Sequence, residues 1–131
     1  KKSGIDIPIL FIGGTFDLIT PLVDEQFKIF LANESNKLNR FVVIEGASHF
    51  SPIRIVNQNL SEINSSDVFN IEENFIGINP YNFQNLTLKI IIKFLKNLEK
   101  SQGLKILQKQ NMDNLNFHIL GEKELKIISS N

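Results

Sequence analysis

The chain has 131 residues, 42% of them hydrophobic and 21% charged, with 14 basic against 14 acidic side chains, two His, no Cys and no Trp. That length supports one domain with a real core, and the apolar fraction excludes a disordered tail. The charge balance argues against a general nucleic-acid or polyanion binder, the lack of Cys removes thiolate chemistry and Cys-ligated zinc, and no apolar run is long enough to cross a bilayer. A skew toward Ile, Asn and Lys (20, 16 and 12 residues) makes chance Asn-x-Ser/Thr matches at Asn33, Asn59, Asn64 and Asn85 uninformative. Redox compartment and localisation are not encoded here. Residue 1 is Lys, which suggests a piece of something longer.

Residues 7–12 are an apolar run ending at Gly13-Gly14, and residues 41–45 are a second one ending at Gly46. Runs that are apolar on both faces and bounded by Gly read as buried parallel strands. Between them Val23, Phe27, Phe30 and Leu31 share one helical face. That helix is expected to start with Thr20 as N-cap and Pro21 at its first position, with Asp24 and Glu25 in the first turn. Strand, helix and strand make a parallel crossover unit, so the fold class is α/β. Residues 51–82, broken by Pro52, Gly77 and Pro80, read as a surface excursion. A long helix is expected over 83–102, with Leu88, Ile91, Ile92, Leu95 and Leu98 inward, Lys89, Lys93, Lys96 and Lys100 on a solvated face, and Gly103 just past its end. The tail, 103–131, alternates at Leu115-Phe117-Ile119 and Leu125-Ile127 around Gly121, the pattern of a terminal hairpin.

Parallel neighbouring strands expose their carboxyl ends at one edge, where the functional groups of open sheets gather. Gly13-Gly14-Thr15-Phe16-Asp17 and Gly46-Ala47-Ser48-His49 both leave that edge. A carboxylate from one loop can hold the Nδ1 hydrogen of an imidazole on the other, leaving Nε2 to act as general base. Asp17 and His49 are therefore the candidate catalytic pair. Phe16, Phe50 and Phe69 are candidate lining residues, although most of the eleven Phe belong in the core. His118, in the tail and near no matched carboxylate, reads as structural.

Residues 7–21 (Ile-Pro-Ile-Leu-Phe-Ile-Gly-Gly-Thr-Phe-Asp-Leu-Ile-Thr-Pro) resemble the segment of α/β-hydrolases that delivers the triad acid. Residues 41–50 (Phe-Val-Val-Ile-Glu-Gly-Ala-Ser-His-Phe) resemble the segment that delivers the triad histidine. More narrowly, Phe50-Ser51-Pro52-Ile53 and Ile76-Gly77-Ile78-Asn79-Pro80 are similar to stretches of bacterial dienelactone hydrolases related to platelet-activating-factor acetylhydrolase. The resemblance covers about residues 5–100 and leaves the tail unmatched. It implies Asp17 as triad acid and His49 as triad base, and it implies no metal or organic cofactor. The family's nucleophile is a Ser in a Gly-x-Ser-x-Gly elbow upstream of the acid, and no such motif stands in this sequence. Ser48 adjoins His49 but lacks the strand–turn–helix context of that elbow.

The expectation is therefore the C-terminal portion of a serine hydrolase acting on a small-molecule ester or lactone, inactive by itself because nucleophile and oxyanion hole are missing, and self-associating through its open sheet. Two alternatives stand beside it. One is a non-catalytic hydrolase-like binding or dimerisation module. The other is a nucleotidyltransferase, because Gly13-Gly14-Thr15-Phe16-Asp17 and Ile128-Ser129-Ser130 resemble motifs of the cytidylyltransferase type. There, Ile19-Thr20-Pro21-Leu22 replaces the His-x-Gly-His that contacts the phosphates.

Overall fold

The computed structural model describes residues 6–33, 36–52 and 78–130. The two Gly-bounded apolar runs form strands β1 (Leu10–Gly14) and β2 (Arg40–Ile44), which pair in parallel from Leu10↔Arg40 to Gly14↔Ile44. β1 begins later than the apolar run and includes both glycines. The N–H and carbonyl of Ile9 are already bonded toward β2, through Asn39 Oδ1 and the Arg40 N–H.

The helix between them differs from expectation at its start. Leu22–Gln26 is a π-helical turn, with the Gln26 N–H donating to the Pro21 carbonyl, and only then does α1 (Phe27–Ala32) follow. Thr20 is not the cap: Pro21 precedes the first helical residue, and the Thr20 hydroxyl donates to Asp17 instead. The i→i+5 bond inserts a residue relative to an α turn. Phe27 and Phe30 keep the inward face while Val23 turns to solvent.

β2 is buried on both faces, as a continuous apolar run requires. Phe41 and Val43 pack with Phe27 and Phe30, and the rings of Phe11, Phe27, Phe30 and Phe41 lie 5.0–5.9 Å apart in mostly edge-to-face pairs. Val42 and Ile44 pack on the other face against α2 (Pro80–Leu98). Each such fully buried side chain contributes about 1.5–3 kcal/mol relative to an exposed one.

α2 starts three residues earlier than expected because Asn79 caps it. Asn79 Oδ1 accepts from the N–H groups of Tyr81 and Asn82, and Pro80 takes the first helical position. Its inward face is Phe83, Leu86, Ile90 and Phe94, with Leu98 half-buried, whereas Leu88, Ile91, Ile92 and Leu95 are exposed. Both sets obey helical spacing, so periodicity alone could not choose between them. The face carrying two Phe rings fills the space above the sheet. The helix also ends early, at Leu98. The Ser101 N–H donates to the Leu98 carbonyl (2.8 Å) and the Gln102 N–H to the Asn97 carbonyl (2.9 Å), a Schellman closure with Ser101 at φ 55°. Gly103, expected to close the helix, instead packs against the Arg40 guanidinium.

The tail is a hairpin followed by a helix. β3 (Leu107–Met112) and β4 (Leu115–Leu120) join through Asp113-Asn114, both at positive φ, the two-residue hairpin geometry. Leu125 and Ile127 are not a strand arm. They lie on α3 (Glu122–Ser129), where Leu125 is fully buried against the Phe cluster and Glu124 Oε2 accepts the Gly121 N–H at 3.0 Å. β4 runs antiparallel to β2 and completes a mixed four-stranded sheet of order β1-β2-β4-β3. The chain is thus α/β in content, with helices on both sheet faces. Most of the 51–82 excursion lies outside the described residues. Among the described residues no helix is long and apolar enough to cross a membrane.

Candidate active site

The loops after β1 and β2 leave the same sheet edge and are bonded to each other. The Thr15 and Phe16 N–H groups donate to the carbonyls of Ile44 (3.2 Å) and Ala47 (2.9 Å), and the Gly46 N–H donates to Thr15 Oγ1 (2.8 Å). Two glycines permit this contact. A Cβ on Gly14 would lie 2.0 Å from the Ala47 carbonyl oxygen, and Gly46 sits at φ +79°.

Asp17 and His49 come together as the sequence implied. His49 Nδ1 lies 3.2 Å from Asp17 Oδ2, with the carboxylate 8% and the imidazole 41% exposed. The rest of the carboxylate is committed. Oδ1 accepts from the N–H groups of Ile19 (3.0 Å) and Thr20 (2.8 Å), while Oδ2 also accepts from Thr20 Oγ1 (2.8 Å) and Gln26 Nε2 (3.2 Å). Burial alone would push this carboxyl up. The bonds from the Thr20 N–H and hydroxyl, from His49 and from the Ile19 N–H outweigh it and hold Asp17 below the ordinary aspartate value. The acid is thus an ionised, fixed acceptor for the Nδ1 hydrogen, and Nε2 is the ring nitrogen left to take a proton.

Sequence reasoning missed Gln26 and misassigned Thr20. The π turn brings Gln26 to Asp17, and its amide also donates to the Thr20 carbonyl at 2.6 Å. Nothing in helical periodicity announces such a turn. The Asp-x-x-Thr spacing was the available signal for Thr20, because a carboxylate readily accepts from the backbone and hydroxyl three residues on. Thr20 Oγ1 is 3.3 Å from His49 Nδ1 but directs its proton to Asp17, so it is no nucleophile for Nε2. Ser48 is buried, its hydroxyl accepting from the Phe50 N–H and lying 3.4 Å from Ser51 Oγ, a role in shaping the loop.

Asp17 and His49 open onto a cleft of about 230 Å³ lined by Ile12, Gly13, Gly14, Thr20, Ala47 and Phe83 among others. Of the Phe candidates, Phe16 and Phe50 are not among its lining residues, and Phe69 lies outside the described residues. Phe50 instead packs edge-on against the His49 ring, with centroids 5.4 Å apart. Phe83 of α2 takes the lining position, which only the packing of that helix could reveal. Ile128-Ser129-Ser130 contributes nothing to the cleft.

His118 does have a matched carboxylate, contrary to expectation. Its Nε2 lies 2.9 Å from Glu45 Oε1, and Lys109 (3.0 Å) and Asn116 (3.2 Å) share Oε2. His118, then Lys109, hold the Glu45 carboxyl down to about 2. The group ties the hairpin to β2. The α2 lysines are exposed, and Lys89 pairs with Asp113 at 2.7 Å. Among the described residues no cluster of His, Asp and Glu could hold a metal ion. No family model, curated protein or solved structure matches the chain.

Proposed function

We propose that Asp17 and His49 are the acid and base of a serine-hydrolase triad acting on carboxylic esters or lactones, completed by a serine and oxyanion donors from polypeptide outside these 131 residues. His49 Nε2 takes the serine hydroxyl proton as the oxygen attacks the carbonyl carbon, then returns it to the departing alkoxide. Water repeats the cycle to release the acid. Asp17 keeps the Nδ1 hydrogen in place and stabilises the imidazolium. The observation that carries the reading is the 3.2 Å His49–Asp17 contact to a carboxylate already fixed by four other donors. A structural aspartate needs only the turn bonds from Ile19 and Thr20; the imidazole at the mouth of a cleft is the added element. The resemblance of both loops to α/β-hydrolase segments supports the same assignment. These residues alone are inactive in ester hydrolysis.

The test has two readouts. In the two-bond ¹H–¹⁵N spectrum at alkaline pH, the neutral His49 ring carries its proton on Nδ1, and Asp17→Ala releases it to Nε2. An Nε2 proton in the unsubstituted protein defeats the pairing. In a polypeptide that includes the serine, p-nitrophenyl acetate hydrolysis falls about 10⁶-fold in His49→Ala. Unchanged turnover in that variant excludes His49 as the base.

A further inference from the structure

A second hollow lies between α2 and the β3–β4 hairpin, and it shares no lining residue with the cleft at Asp17 and His49. A register irregularity in β3 shapes it. Leu107 pairs with Ile119 and Gln110 with Phe117, so Gln108 and Lys109 stand opposite His118 alone. Two residues against one bend the strand and re-aim its side chains. Lys109 turns to Glu45, beside His118. Leu107 and Met112, through their partners Ile119 and Leu115, share the sheet face on which α2 packs. Between that face and the helix remains an apolar groove of about 90 Å³, walled by Ile90 and Leu104 and floored by Phe117 and Ile119.

Two charged residues border the groove, Lys89 and Lys93, one turn apart on α2. They are not equivalent. Lys89 Nζ donates to both carboxylate oxygens of Asp113 in the hairpin turn, at 2.7 and 2.9 Å, so that end is neutralised. Lys93 is exposed and has no ion-pair partner among the described residues. A single uncommitted ammonium over an apolar trough complements an anion carried on an aliphatic chain. The chain takes the groove wall out of water while the head meets Lys93 at the rim. The Asp113 carboxylate repels a second anion from the turn end, which leaves Lys93 as the place for the head.

We propose that this groove binds an aliphatic carboxylate of short to medium chain length, its carboxylate on Lys93 Nζ and its chain against Ile90, Phe117 and Ile119. Binding is reversible and forms no covalent bond. The site uses neither Asp17 nor His49, so it stands or falls independently of the hydrolase reading.

Met112 is the single methionine of the chain, so a ¹³C-methyl methionine label gives one signal, placed in the groove wall. Titration of the full chain with sodium carboxylates from butanoate to decanoate is expected to shift that signal saturably. Affinity rises about fourfold per added methylene and levels off once the chain outgrows the groove. Lys93→Gln weakens carboxylate binding about twofold to fivefold and leaves the response to 1-hexanol unchanged. Lys93 is exposed, and an unchanged far-UV spectrum verifies that the variant folds. A Met112 signal that no carboxylate moves overturns the proposal, and a shift of the His49 ring signals alone does the same by placing the acid in the other cleft. So does hexylammonium binding as tightly as hexanoate, or a Lys93→Gln variant with undiminished carboxylate affinity.

Discussion

Replacing Asp17 by Asn keeps the shape of the side chain and removes its charge, so it separates the acid's electrostatic role from its packing. The amide oxygen can still accept from the Ile19 and Thr20 N–H groups. The new –NH₂ stands where Oδ2 accepted from Thr20 Oγ1, Gln26 Nε2 and His49 Nδ1. The Thr20 hydroxyl can turn to accept and the His49 ring can move its proton to Nε2 and accept at Nδ1, but Gln26 now presents donor to donor. A hydrogen bond to a charged group contributes about 1.5–3 kcal/mol, less where one partner is half exposed as His49 is, so the net loss at pH 7 is about 2–3 kcal/mol. The pH dependence supplies the control. Asp17 has a folded value below its ordinary 3.8, so its contribution is fully present above that value and is lost as pH falls through the folded one. Urea denaturation of both proteins at pH 7 and near pH 2 measures this. The expected gap is wide at pH 7 and narrow in acid. A gap below about 0.5 kcal/mol at pH 7, or one equally wide in acid, refutes the reasoning.

Gly14→Ala forces a Cβ to within 2.0 Å of the Ala47 carbonyl oxygen, so the two loops must separate. The expected loss is about 2–4 kcal/mol, read by thermal unfolding, with loss of the His49 Nδ1 proton signal as the loops part. Ser101→Gly relieves a non-glycine residue at φ 55° in the α2 closure and is expected to stabilise by about 0.5–1 kcal/mol, checked by urea midpoint. Glu45 is held at about 2 against an ordinary 4.5, so its contribution is present above 4.5 and fades between there and about 2. Glu45→Gln is therefore less stable than the unsubstituted protein at pH 6 and indistinguishable from it below pH 2, measured by the same denaturation series.

The β1–α1–β2 unit was legible because local rules act together there: two runs apolar on both faces, each stopped by glycine, with an inward Phe pair between them. The Asp17–His49 pairing was legible for the same reason, since equal exit points from adjacent parallel strands put both loops on one edge. The errors fall where local signals are degenerate. α2 has two apolar stripes at helical spacing, and only the sheet's shape selects the one with Phe83 and Phe94. Leu125 and Ile127 fit a short strand as well as a helix, and the Glu124 cap on Gly121 decides it. The partnership of Glu45 with His118 spans 73 positions and needs β4 to lie beside β2.

By itself the amino-acid sequence determined the strands of the parallel pair, the inward Phe residues of α1 and the two loops that carry Asp17 and His49. Those features depend on side-chain period, glycine and the fixed geometry of parallel neighbours. The tertiary structure alone decided which stripe of α2 is core, that a π turn delivers Gln26 to Asp17, and that Phe83 rather than Phe16 or Phe50 lines the cleft. Each of those depends on distant segments competing for one space, and burial in that space is a property no single segment possesses.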